Sequence, residues 1–343
     1  MMRNLFIEIL QMALGTRERL SRVPNGAEWI ALRQESQRQA VLGLMVEGLE
    51  LLPKEQRPPK ELLLQWIGQV QMNESSYQLH CERARELTIR LEAAGYNSCI
   101  LKGIGTAQLY PVPARRQCGD IDLWVSGERK AITKWIKSQC ASGHSEWHHL
   151  EAGFFSDVSV EVHFHPAWLY NPVHNRKLQQ FFWQKRDDAM MKRSEGFNYP
   201  SPGFDVVFSL VHTFHHLLEE GVGGRHIVDY FYILKALPQE ERYNSLKIIR
   251  ELGIEKFLSA MMWELKEVCG MPPEFMLCEP NETEGKFLLK EIMAGGNFGK
   301  ARSDGLKRNS FNRYRVMVRH YPSEVLWMIP WKVWHKCWRI FYK

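Results

Sequence analysis

The sequence predicts an α+β fold that is mostly α, with a short β-containing segment between two helical regions. Three observations predict it. Apolar residues repeat at helical spacing through residues 1–95, the period shortens to two within residues 96–166, and helical spacing returns after Pro166. The chain accordingly divides into an N-terminal helical region (1–95), a core (96–166), a helical domain (167–292) and a basic linker with an aromatic helical tail (293–343).

LFIEILQMAL reads as an amphipathic helix rather than a signal peptide, because Glu8 and Gln11 interrupt the apolar run and no small-residue cleavage site follows. A second helical run surrounds WIALRQESQRQAVLGLMVEGLELL. Pro53, Pro58 and Pro59 separate it from a third, which Gly95 closes as a helix C-terminal glycine. Tyr96 to Leu101 is short and ends in an apolar run; Lys102 to Tyr110 suits a helical turn or helix, stopped by Pro111 and Pro113. Asp120 to Val125 alternates as a strand, with Ile121 and Leu123 on one face and Asp120 and Asp122 on the other. Glu128 to Cys140 reads as a helix. Phe154 to Phe164 reads as two strands joined near Asp157, the second placing Val160, Val162 and Phe164 opposite Glu161 and His163. After Pro166 come helices from DVVFSLVHTFHHLLEE to KFLSAMMWELKEVCG, a Gly-rich basic linker over 293–310, and the tail YPSEVLWMIPWKVWHKCWRIFYK.

Composition narrows the class. At 45% hydrophobic and 24% charged residues the 343-residue chain is an ordinary globular protein, not a disordered one. No window reaches the ~18 uninterrupted apolar residues of a membrane span, and seven cysteines without CxxC spacing read as reduced thiols, so residence in the cytoplasm is expected. A net charge of +6 permits anionic ligands without demanding nucleic acid.

The chemistry concentrates in CGDIDLWV, residues 118–125. Two carboxylates one residue apart on a strand project from one face, roughly 6–7 Å apart at the backbone, which suits a pair of divalent cations. Oxygen ligands favour Mg²⁺ or Mn²⁺, ions that also bind nucleotide phosphates. Glu161 is the expected third carboxylate. Upstream, Lys102, Gly103, Gly105 and Thr106 follow a short strand and open a possible helix, as a phosphate-binding turn does. Lys102 and Arg116 add cationic donors for a triphosphate. The competing reading is a surface edge strand whose aspartates face water.

The order LKG, Tyr110-Pro111, Arg116, GDIDLWV and Val160-Glu161-Val162-His163 resembles the uncharacterised NTP_transf_5 group of the bacterial polymerase-β-type nucleotidyltransferases. The resemblance is good over about residues 96–166 and looser to about 240, where Gly224-Arg225-His226-Ile227-Val228-Asp229 is similar to a helical motif of those proteins. It implies a small mixed sheet with flanking helices, and metal-dependent transfer of a nucleoside monophosphate from an NTP to an acceptor hydroxyl with release of pyrophosphate. It also implies that Asp120, Asp122 and Glu161 hold the metals, with Glu161 helping to deprotonate the acceptor and the amides around Gly103 meeting the phosphates. The acceptor is left open among a small molecule, a saccharide, RNA and protein. A nucleotide-binding scaffold of the same fold, and a toxin-like transferase acting on RNA or protein, are the alternatives.

Other signals carry less. His212, His215 and His216 share one helix face and read as structural or close to the site, since no HExxH accompanies them. His163 and His165, on either side of Phe164, are spaced to form a metal pair with Glu161; His163 also suits a phosphate or acceptor contact, or equally a hydrogen-bonded structural role. Arg225 and Asp229, four apart on one helix, are spaced either to pair with each other or to face a substrate. Trp327, Trp331, Trp334 and Trp338, interleaved with Lys332, Lys336, Arg339 and Lys343, read first as packing, and secondarily as a peripheral membrane contact or a nucleic-acid stack. Replacing either Asp120 or Asp122 is expected to abolish transfer while leaving folding intact or improved, because two repelling carboxylates no longer share a site.

Overall fold

The computed structural model describes residues 2–300 and 311–342. The N-terminal region is α1 (Met2–Ala13), α2 (Gly26–Arg38), α3 (Leu42–Leu51) and the 34-residue α4 (Lys60–Ala93). The helical run expected around Trp29 to Leu52 is two helices, because the chain turns at Ala40 with φ 57°. A reciprocal capping box between Asn25 and Glu28 starts α2. Gly95, at φ 82°, ends α4 where the sequence places it.

Residues 98–163 form one five-stranded mixed sheet: β1 (Ser98–Ile100), β2 (Ile121–Val125), β3 (Ser142–Ser145), β4 (His149–Ala152) and β5 (Val160–His163), in the order β1-β2-β5-β4-β3. Between them lie α5 (Ile104–Ala107) and α6 (Arg129–Gln139). Only β2 and β5 run parallel. The strand expected at Phe154 does not form. Phe154 and Phe155 instead leave the sheet, Phe154 against Trp135 and Phe155 beneath Arg83, and β5 pairs on that side with β4. Neither β3 nor β4 shows in the sequence, since SGHSEWHHLEA is polar on most positions.

The two faces of this sheet differ completely. Ile121, Leu123, Val125, Leu150, Ala152, Val160 and Val162 face a core closed by Ala84, Leu87 and Leu91 of α4 and by Ile132 and Ile136 of α6. Each such large aliphatic contributes roughly 1.5–3 kcal/mol by leaving water. The opposite face carries Asp122, Trp124, His149, Glu151, Glu161 and His163, as alternation along paired strands requires. Trp124 stacks on Phe204 at 5.8 Å and joins this face to the helical core.

That second core joins α1, α2, α3 and the first half of α4 to α7 (Pro172–Gln184), α8 (Arg186–Ala189), α9 (Pro202–Glu219), α10 (Gly224–Ala236), α11 (Gln239–Glu251), α12 (Glu255–Glu267), α13 (Glu282–Gly295), α14 (Phe311–His320) and α15 (Pro322–Tyr342). Of the expected linker, Met293 to Gly295 prolong α13, Asn297 to Gly299 form a tight turn, and residues 301–310 lie outside the described residues. α15 continues through Pro330 and presents its inner rings to the sheet domain. Trp331 stacks on Trp168 at 5.7 Å, Trp334 meets the edge of Trp147, and Arg129 lies 4.6 Å over Trp338. A peripheral membrane contact would have to use the outer ridge of Leu326, Ile329, Val333 and Ile340. No helix among the described residues is long and apolar enough to cross a membrane.

Glu264 of α12 is fully buried and neither carboxylate oxygen has a hydrogen-bond partner among the described residues. Burial raises its pKa well above the ordinary carboxylate value. A folded-state pKa above the unfolded one means stability is greatest below the unfolded value and falls as pH rises through the folded value. Glu264→Gln should therefore raise the melting temperature at pH 8 and much less at pH 5, measured by paired thermal melts.

Candidate active site

Parallel pairing puts Asp122 directly beside Glu161, and His163 lies two residues further along β5 on the same face. Among the described residues these three form the group whose ligand atoms all lie within 4.8 Å of one another. His163 Nε2 is 3.0 Å from Asp122 Oδ1 and 3.5 Å from Glu161 Oε2. Lys102 Nζ reaches the same Asp122 Oδ1 at 3.0 Å. Asp122 Oδ2 is buried with no hydrogen-bond partner among the described residues. An ionised oxygen in that state is costly unless something else compensates it, and a divalent cation is a partner of the right charge. Two carboxylates and one imidazole are a donor set that such a cation accepts. Asp120 lies just before β2 and outside this group, lining the open cavity.

The electrostatics follow from burial of unequal charges. Burial disfavours the carboxylate of Asp122, yet Lys102 and His163 hold its pKa well below the ordinary range. Burial likewise opposes a charged His163, but its hydrogen bonds to Asp122 and Glu161 raise it to about 9. Lys102, also opposed by burial, is held above its usual value by Asp122, Asp120 and Glu161. Asp120 goes the other way: the neighbouring Asp122 charge, then burial, push it up. Glu161 is lowered, with His163 overcoming its burial.

The remaining expected residues occupy different places. Gly103 turns the chain at φ 62°, and a Cβ there would sit 3.3 Å from the Asp120 carbonyl. Gly105 packs α5 onto β1, because a Cβ would lie 2.7 Å from the Ile100 carbonyl. Thr106 is buried, and α5 is only one turn long. Lys102 lines the cavity; Gly103, Gly105 and Thr106 do not. Arg116 is 5% exposed and donates through Nε and Nη2 to the two carboxylate oxygens of Asp229, at 2.8 and 2.7 Å. Tyr110 donates to the same carboxylate at 2.6 Å. Asp229 thus pairs with Arg116 rather than with Arg225, whose Nη1 donates to the Gln117 carbonyl at 3.0 Å.

In front of the acidic face opens a cavity of about 920 Å³. Its walls hold several residues that the sequence reading did not single out: Glu146, His148, His149 and Glu151 from the β3–β4 hairpin, and Trp168. The opposite wall is α9. His212 and His216 face each other through Nε2 at 3.0 Å, His216 Nδ1 lies 2.6 Å from Glu220, and His215 lies 3.4 Å from Glu219. His165 turns away, bonding Gln179 and stacking on Trp147. A density of histidine between residues 144 and 165 is the signal that marks the hairpin.

The chain belongs to the family described as uncharacterised nucleotidyltransferase, which it matches over residues 25–270. No curated protein matches it by sequence. Among solved structures it is similar to an antigenic nucleotidyltransferase-like protein from Paracoccidioides brasiliensis, at 15% identity and a TM-score of 0.36, over 55% of this chain and 91% of that one. At that level the likeness carries no argument about function.

Two stability outcomes follow. Removing one partner of a buried pair leaves the other charge uncompensated, at about 3–5 kcal/mol. Asp229→Asn should therefore lower unfolding free energy by about that much in urea titrations, and Arg116→Met with Asp229→Leu should recover most of it. For Asp122 the structure reverses the expectation drawn from repulsion alone. Its carboxylate compensates Lys102 and His163, so Asp122→Asn should lower the melting temperature of metal-free protein.

Proposed function

We propose that the protein is a metal-dependent nucleotidyltransferase that moves a nucleoside monophosphate from an NTP to an acceptor hydroxyl. The acceptor oxygen bonds to the α-phosphorus, the bond to the bridging oxygen breaks, and pyrophosphate leaves. The observation that carries this reading is the convergence of Asp122, Glu161 and His163, beside an Asp122 Oδ2 that is buried and unpartnered among the described residues. Family membership supports a transferase of this class.

In this reading Asp122 and Glu161 would hold Mg²⁺ or Mn²⁺, with Asp120 adding a carboxylate from the cavity wall, and His163 would join them as a neutral imidazole after giving up the proton that its two carboxylate partners otherwise keep on it. The ion, when bound, neutralises charge on the transferring phosphoryl group. Lys102 keeps Asp122 ionised and fixed in place. Glu161, the more exposed of the two paired carboxylates, takes the proton from the acceptor hydroxyl. The cavity is of a size that ligand sites of about 300–1,000 Å³ share, and its aromatic and histidine walls orient what enters.

Incubation with each α-labelled NTP and Mg²⁺ or Mn²⁺ should place label on an acceptor, screened among small alcohols, saccharides, RNA and the protein itself, and release pyrophosphate. Asp122→Asn and Glu161→Gln should each lower that rate by ~10²-fold or more, the scale of losing one charge-stabilising group. An Asp122→Asn variant that turns over NTP at the unaltered rate would overturn the proposal. Nucleotide binding without any turnover would identify a nucleotide-binding scaffold instead.

A further inference from the structure

Resting on that reading, we infer that the C-terminal segment completes the site, with Lys300, Lys336 and Arg339 forming a subsite for phosphate oxygens, those of the nucleotide's β- and γ-phosphates. An NTP brings several negative charges into the cleft, and they need more than the cation at the acidic face. The two side chains that the sequence offers for this are engaged elsewhere. Lys102 is ion-paired with Asp122 at 3.0 Å, and Arg116 is buried in its two-point contact with Asp229. Arg225 is also buried within the protein, against Gln117 and the ring of Phe298.

Besides Lys102, the lysines and arginine that line the cavity are Lys300, Lys332, Lys336 and Arg339, all from the C-terminal segment. Lys332 lies 3.4 Å from Glu219, and Arg339 lies 3.7 Å from Glu146, itself 2.7 Å from His335. Lys300 and Lys336 are exposed to the cavity and have no carboxylate within ion-pair distance among the described residues. Cations left without a carboxylate, in a cleft whose other wall is acidic, are a complement for a ligand that carries its charge at one end. Their positions are also fixed. The Trp331–Trp168 and Trp331–His335 stacks hold the inner face of α15, and the turn at Asn297–Gly299 packs so closely that a Cβ on Gly299 would lie 2.0 Å from the Glu220 carbonyl. These residues all lie beyond residue 270, where the family match ends, so the subsite is not part of the matched segment.

The test is calorimetric titration of the full chain with Mn²⁺ and, in turn, an NTP, the matching NMP and inorganic tripolyphosphate. Lys336→Ala/Arg339→Ala should weaken NTP and tripolyphosphate binding ~10-fold or more and leave NMP binding unchanged, since a tenfold change is about 1.4 kcal/mol and one charge-assisted contact supplies that much. Lys300→Ala should do the same to a smaller degree, and Lys336→Arg should restore affinity. Unchanged melting temperatures without ligand show that the fold is intact, and the exposed single change Lys336→Glu gives the same reading if the double variant fails to fold. Lost tripolyphosphate binding with unaltered NTP binding overturns the assignment to the nucleotide's phosphates. NTP and tripolyphosphate affinities both unaltered overturn the subsite while leaving the catalytic reading intact. An unaltered protein that binds neither NTP nor tripolyphosphate overturns both.

Discussion

The side-by-side parallel pairing of β2 and β5 is the constraint on which the acidic face depends. It sets Asp122 against Glu161 in register, and the two-residue period of each strand then brings His163 to the same spot while turning Ile121, Leu123, Val160 and Val162 the other way. A slip of one residue would exchange the faces, putting carboxylates into the core against α4 and α6. The apolar face therefore enforces the geometry of the polar one. Parallel neighbours need a crossover, and here α6 with the β3–β4 hairpin supplies it.

Such a register concentrates like charges, and the surrounding cations make it tolerable. Lys102 arrives from the turn after β1 and His163 from β5 itself, so the compensation comes from the same small sheet domain as the charge. Arg116, Asp229 and Tyr110 form a second buried ionic unit that crosses from the segment before β2 to α10. It fixes the sheet against the helical domain and so holds α9 across the cleft. Conformational specificity is a recognised role of such buried pairs.

How much of this was legible in the sequence varies with the length scale of the cause. The helices were legible because their apolar spacing is local, and Gly95 marked an end through a backbone requirement of its own. β2 and β5 were legible because each has one dry face and one polar face, and alternation records that. β3 and β4 were not, since pairing with β5 rather than their own composition makes SGHS and HLEA strands. The strand expected at Phe154 shows the converse: two adjacent aromatic rings look like a strand, but they cap the sheet core against Trp135 and Arg83. The approach of Glu161 to Asp122 was readable from motif spacing, but the ion pair of Lys102 with Asp122 was not, and Asp120 lies outside the cluster it was expected to join. The partner of Arg116 was not, because its carboxylate lies 113 residues away on α10.

The histidines of the cleft sharpen the question of what a ligand meets there. Burial holds His148 and His212 well below the ordinary imidazole value, and lowers His149 and His216 as well. At neutral pH these rings are therefore uncharged, each offering one donor and one acceptor. They line the walls between the acidic face and the C-terminal helix, where they can bond hydroxyl groups without adding positive charge. Charge recognition in the cleft is then left to carboxylates on the sheet and to lysine and arginine from the C-terminal segment. The acidic pair of Asp122 and Glu161 comes from β2 and β5 alone, whereas the neutral histidine walls and the basic helix are drawn from the β3–β4 hairpin, α9 and α15. Under the proposed transfer, selectivity for an acceptor would fall to those walls, because groups that meet a transferring phosphoryl do not read what lies beyond the attacking oxygen.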